Sequence, residues 1–247
     1  MKERGEKEMA LTEELKDILL TGGADLADAG DLSGLPETVR CGLPVGVSIA
    51  VKYPKDVILG ISELPTQEYR NWYGALNERL DWLAAVGAEF LIKKGYRAVA
   101  QTRERVGGYD EGCQTVLPHK TVATRAGIGW IGKSALLITK QYGSMVRLSS
   151  ILTDAPLSVA EPVDRSLCGG CTVCETACPA GAIHGILWDT RTTRDELFDY
   201  RKCREMALSR AEQGYGKRET LCGKCIEVCP YTRRYLAGAE AGEVGVC

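Results

Sequence analysis

Two histidines in 247 residues leave almost no room for histidine-based metal chemistry. No stretch approaches the roughly 18 consecutive apolar residues that a membrane-spanning helix needs, so no span is expected. The charged start, Met1 to Glu8, is not followed by the apolar core of a secretory signal, and no twin-arginine signal appears. A cytoplasmic protein is the expectation. The net charge of −2 lacks the cationic excess of a strongly basic nucleic-acid binder. With 45% hydrophobic residues the chain is not a disordered one, and it is long enough for one large domain or two small ones.

Cysteine is what the chain has in excess: eleven residues, eight of them between Cys168 and Cys229. In a reducing compartment, clustered thiols read as metal ligands or catalytic groups rather than disulfides, and an odd number rules out complete internal pairing. Composition changes sharply after Asp164, and the prolines Pro156 and Pro162 mark a connector. A first domain is therefore expected over residues 1–160 and a second over 161–247. In the first, helical periodicity covers Leu11–Leu20 and Thr66–Lys94, with Tyr69, Trp72 and Tyr73 on the apolar face. Strand patterns cover Val45–Val51, Tyr96–Thr102, Ala135–Thr139 and Val146–Thr153. The order is βαβ-like and predicts an α+β fold, a layered sheet-and-helix domain followed by a small two-cluster domain.

The cysteine spacing carries the most specific chemistry. Cys168-x2-Cys171-x2-Cys174-x3-Cys178-Pro179 is the bacterial ferredoxin run for [4Fe–4S] clusters. Three thiolates with two residues between each pair wrap three corners of a cubane, and the fourth points onward to a neighbouring cluster. The second motif, Cys222-x2-Cys225-x3-Cys229-Pro230, lacks one cysteine, which Cys203 can supply. The count closes with Cys168, Cys171, Cys174 and Cys229 on the first cluster and Cys178, Cys203, Cys222 and Cys225 on the second. Two four-cysteine zinc sites are the competing reading, but zinc favours two separated pairs per metal. Cys41, Cys113 and Cys247 are left over. His184, just after the first motif, is expected to pack near that cluster or tune it by a hydrogen bond.

Gly127, Gly129 and Gly132 permit close backbone approach within Ala126-Gly127-Ile128-Gly129-Trp130-Ile131-Gly132-Lys133-Ser134. The text matches both a P-loop and a dinucleotide fingerprint. Each needs a strand before the glycines and a helix after them, and here a helical stretch precedes and a strand pattern follows.

Ala126 to Lys133, Leu136-Leu137-Ile138, Tyr142-Gly143-Ser144, Ile151-Leu152-Thr153-Asp154 and the cysteine module in this order resemble the epoxyqueuosine reductases. The resemblance implies a cobalamin-dependent iron–sulfur reductase, distantly similar to reductive dehalogenases, with a nitroreductase-like catalytic domain. It further implies a ferredoxin-like cluster domain and an electron path through two [4Fe–4S] clusters to a corrinoid. On that reading Gly127, Gly129, Trp130, Gly132 and Lys133 are expected at the corrin. A low-potential donor such as ferredoxin or flavodoxin would supply electrons, and the substrate would be a small molecule or a corrinoid protein.

The chain departs from the family in three ways. Cys113 falls near the place of the family's acidic proton donor, which leaves His119, Cys113 and Asp110 as candidate donors. The chain stops at Cys247, where relatives usually continue into a helical repeat domain that engages tRNA, so tRNA is not expected as substrate. Ser134 stands where Asn is common. The alternative function is an electron-transfer or corrinoid-activating protein without catalysis of its own.

Overall fold

The computed structural model describes residues 2–106 and 115–238. The helices are α1 (Lys2–Thr21), α2 (Lys55–Leu59), α3 (Gln67–Lys93), α4 (Arg103–Val106), α5 (His119–Arg125), α6 (Val173–Thr176), α7 (Arg194–Leu197), α8 (Tyr200–Tyr215), α9 (Lys224–Glu227) and α10 (Pro230–Leu236). The strands are β1 (Leu26–Asp31), β2 (Val45–Lys52), β3 (Ala98–Ala100), β4 (Gly129–Ile131), β5 (Leu137–Thr139) and β6 (Val146–Thr153). The α+β class read from the sequence holds. The strand expected over Tyr96–Thr102 is trimmed to three residues. β1 was not foreseen, because Leu-Ala-Asp-Ala-Gly-Asp is poor in the branched and aromatic residues that signal strands.

The chain divides into two compact units that interleave along the sequence. The first takes Met1–Val51, Leu76–Ile128 and Arg147–Val163; the second takes Lys52–Ala75, Gly129–Val146 and Asp164–Cys247. A single boundary near residue 160 therefore does not describe the division, because two earlier stretches pack with the cysteine module.

The first unit is built on a four-stranded sheet in the order β1-β2-β6-β3. β1 and β2 pair antiparallel from Leu26↔Ala50 to Asp31↔Val45, and β3 and β6 pair antiparallel from Ala98↔Thr153 to Ala100↔Ile151. The six inner residues of β2 are all buried, as expected of an apolar run covered on both faces. Leu15 and Leu19 of α1, Leu83 and Leu91 of α3, Ile49 and Ile151 are all fully buried. Gly87 of α3 lets Ile151 and Leu19 approach; a Cβ there would lie 2.6 Å from Ile151 Cδ1 and 3.2 Å from Leu19 Cδ2. A second apolar cluster gathers Leu32, Leu43, Leu117, Val122 and Leu152. Gly30 serves it, since a side chain there would collide with the backbone of Arg125 and Ala126.

The second unit contains the β4–β5 hairpin, in register from Gly129↔Thr139 to Ile131↔Leu137, and the short helices of the cysteine region. α8 starts at Asp199, whose carboxylate accepts the N–H groups of Arg201 and Lys202, and ends at Gly216 in the left-handed region. Tyr69 is buried against Tyr53, ring centroids 5.2 Å apart. Trp72 and Tyr73, expected in the core with it, are only half-buried. Arg70 forks onto both carboxylate oxygens of Glu219 at 2.6 and 2.8 Å.

Candidate metal centre

Each cysteine motif leads into a single helical turn. Cys174 lies in α6 and Cys225 in α9, while Cys168, Cys171 and Cys222 sit on the preceding loops. Cys229 caps α10, with Pro230 at the first helical position, where its missing N–H is no loss. Cys203 lies in the first half of α8 and hydrogen-bonds through its backbone N–H to the carbonyl of Asp199 at 3.0 Å.

The thiols act on one another electrostatically, and Cys225 feels members of both motifs. Burial pushes Cys174 up to about 11, and the charges of Cys168, Cys229 and Cys171 add to it. Burial likewise pushes Cys203 up to about 11, helped by Cys178, Cys222 and Asp199. Cys225 is raised well above the ordinary thiol range by burial, then by Cys222, Cys203, Cys174 and Cys178. Cys229 is raised by burial, and the N–H groups of Thr232 and Tyr231 and the Ser144 side chain oppose the rise. Cys229 thus acts on Cys174 of the first motif, and Cys178 acts on Cys203 and Cys225.

Four mutually repelling, half-buried thiolates need a cationic core to stay ionised. The all-sulfur donor set suits iron–sulfur clusters. Among the described residues no group of three or more His, Cys, Asp or Glu side chains is arranged to hold a single metal ion. Glu227, between Cys225 and Cys229, is fully buried and paired with Lys224 at 3.1 Å and with Arg233. The sequence reading missed it, because a Glu among cysteines has no spacing signature.

The glycine-rich turn packs inward. A Cβ on Gly127 would lie 2.7 Å from the Glu161 carbonyl oxygen, and one on Gly129 would collide with the Ile138 carbonyl. A Cβ on Gly132 would collide with the Ile138 side chain and lie 3.4 Å from Cys168 Sγ. Trp130 is buried, its ring edge-to-face on Tyr231 with centroids 4.9 Å apart. Lys133, only 6% exposed, donates its amine to the Cys171 carbonyl at 2.8 Å. A side chain on any of the three glycines would meet protein, and Trp130 and Lys133 are buried beside them. They pack the hairpin and brace the first cysteine loop. The segment follows α5 and runs into the β4–β5 hairpin, which is not the strand–glycine–helix order of a nucleotide loop.

Of the candidate proton donors, Asp110 and Cys113 lie outside the described residues. His119 opens α5, in the first unit, with Nδ1 2.9 Å from Ser150 Oγ. Burial lowers its pKa to about 4, Arg147 adds to the drop and Asp81 opposes it. It is a neutral imidazole at physiological pH. His184, expected beside the first cluster, is exposed and turns to the Glu196 carbonyl at 3.0 Å. Ser144 and Thr232 were not anticipated as neighbours of a ligand; Tyr142-Gly143-Ser144 stood out only through the family resemblance.

Residues 167–232 match the 4Fe-4S double cluster binding domain family, which makes this chain an iron–sulfur protein with two clusters. The chain also resembles the epoxyqueuosine reductases. That of Listeria monocytogenes is 40% identical over 119 residues, 45% of this chain and 29% of the relative. The chain spans about a third of the length of such curated relatives. Among solved structures, the catabolic reductive dehalogenase NpRdhA in complex with 3-bromo-4-hydroxybenzoic acid aligns with a TM-score of 0.68 at 19% identity, over 90% of this chain and 32% of that one. An epoxyqueuosine reductase with an epoxyqueuosine-modified tRNA-Tyr stem loop aligns with a TM-score of 0.60 at 23% identity, over 91% of this chain and 66% of that one. These likenesses establish a shared fold. The expectation against a tRNA substrate finds no support in them and is withdrawn. No helix among the described residues is long and apolar enough to cross a membrane.

Proposed function

We propose that this chain is an iron–sulfur oxidoreductase of the epoxyqueuosine reductase type. Cys168, Cys171, Cys174 and Cys229 hold one [4Fe–4S] cluster, and Cys178, Cys203, Cys222 and Cys225 hold the other. Such clusters, when bound, carry single electrons. The observation that carries the reading is the match of residues 167–232 to the 4Fe-4S double cluster binding domain; the exchange of Cys178 and Cys229 between the motifs agrees with the thiols that act on Cys174 and Cys203. Around them, Lys133 braces the first loop through the Cys171 carbonyl, and Pro230 turns the chain away from Cys229. A low-potential ferredoxin or flavodoxin is the proposed donor, and the proposed substrate is an organic molecule that accepts two electrons.

The reading includes a bound corrinoid, with Gly127, Gly129, Trp130, Gly132 and Lys133 proposed beside it. The filled turn favours, as a second reading, donation of electrons to a partner such as a corrinoid protein. Anaerobic purification with iron and sulfide analysis, followed by gel filtration with hydroxocobalamin, tests both. About eight iron atoms per chain with retained cobalamin supports the reductase. The same iron without cobalamin leaves the electron-transfer protein, and zinc in place of iron overturns both.

A further inference from the structure

α10 and the segments around it form a face of one electrical sign. Tyr142 and Tyr235 meet edge to face, ring centroids 5.0 Å apart at 88°. Lys52 Nζ lies 5.1 Å from the Tyr142 centroid and Lys55 Nζ 4.5 Å from the Tyr235 centroid. Arg234 lies 5.0 Å from the Tyr231 centroid and donates to the Lys140 carbonyl. Residues 52–59, 139–142 and 230–236, all in the second unit, carry five Lys or Arg against one acid, Asp56. Arg233 pairs with the buried Glu227, while Lys55 and Lys140 are exposed. In a chain of net charge −2 this is a local reversal. Leu59, one turn after Lys55, is 49% exposed and adds an apolar contact.

A cationic surface takes either nucleic acid or acidic protein. Single-stranded nucleic acid needs ring faces on which bases stack. Here Lys52, Lys55 and Arg234 lie over the tyrosine rings, and the rings of Tyr142 and Tyr235 meet each other, so the face offers charge rather than a stacking platform. Its position is the second constraint. Cys229 caps α10, and that helix of seven residues is about 10 Å long. Whatever seats on Arg234 and Tyr235 therefore lies about one short helix from a proposed cluster ligand. Electron-transfer encounters are small and steered by charge, so a patch of this size suffices.

We infer that this face docks an acidic, low-potential one-electron protein, the donor named above, over the Cys229 cluster. In the docked pair the partner is oxidised by one electron and the cluster reduced by one, with no bond made or broken. The inference rests on the two-cluster reading and names the surface its donor uses.

The test is calorimetric titration of the anaerobically purified full chain with an acidic flavodoxin, with iron analysis of every preparation. The wild type should bind at about 50 mM salt and lose about tenfold or more in affinity at about 300 mM. The double variant Lys55→Glu/Lys140→Glu should lose about tenfold or more at low salt. Lys93→Glu, at the exposed end of α3, should bind as the wild type does. If the double variant loses iron, Lys140→Gln alone carries the test, with a smaller loss in the same direction. No binding by the wild type, or equal binding by the variants at Lys140, overturns the inference with the clusters intact. So does a tRNA transcript that displaces the flavodoxin and is itself released by Lys55→Glu/Lys140→Glu, since RNA is then the occupant. Wild-type iron well below about eight atoms per chain overturns the two-cluster reading instead.

Discussion

Lys133 reaches the backbone carbonyl of Cys171 over 2.8 Å, across 38 positions of sequence. That bond ties the glycine-rich turn to the middle of the first cysteine run, and its donor is buried. Lys133→Ala removes the donor from an interior carbonyl, a loss of about 1–3 kcal/mol. The visible absorbance of the clusters should bleach faster in air than in wild type. An unchanged rate would show that the contact does not hold the loop.

Cys203 stands far from both motifs in sequence, yet its thiol, raised chiefly by burial, is raised further by Cys178 and Cys222. Cys203→Ser should cut iron from about eight to about four atoms per chain, with the remaining cluster still visible by EPR. Full iron retention would disprove the ligand assignment.

Gly143 has φ +59, and a side chain on it would run into the backbone of Thr232. Gly143→Ala combines left-handed strain with a backbone collision, so a loss of about 2 kcal/mol is expected. Anaerobic thermal denaturation should show Tm down by about 4–8 °C; a fall under one degree would contradict the packing.

His119 gives stability a pH dependence. Its pKa is about 4 in the fold against 6.5 ordinarily, so the fold favours the neutral ring. The contribution is fully present above pH 6.5 and is lost as pH falls towards 4, by at most about 3 kcal/mol. His119→Gln should flatten the urea-denaturation midpoint between pH 7 and 4.5. An equal slope in both proteins would place the acid sensitivity elsewhere.

The cysteine motifs were legible because thiolate spacing is a local constraint: a loop that wraps a cluster must present ligands with two residues between them wherever it sits. The helices over Leu11–Leu20 and Thr66–Lys94 were legible from periodicity, and α3 ends within a residue of the expected bounds. The glycine turn was not legible in the same way. A missing Cβ invites either a ligand or another backbone, and only tertiary neighbours decide; here Ile138 and Glu161 sit where a side chain would otherwise be. Ser144 escaped for the same reason, since nothing local tells a serine after Tyr142-Gly143 that Cys229 lies beside it. The division of the chain was hidden because Lys52–Ala75 and Gly129–Val146 carry no cysteine, although they pack with the stretch that does.

That interleaving bears on how the redox half of the molecule could be transplanted. A gene fragment starting at Asp164 would encode every cluster cysteine and omit Lys133, Gly143 and Ser144, along with Ile61 and Tyr69, which pack where a Cβ on Gly223 would otherwise sit. The cysteine region is therefore not a portable cassette. A working graft would have to be drawn from three separated segments.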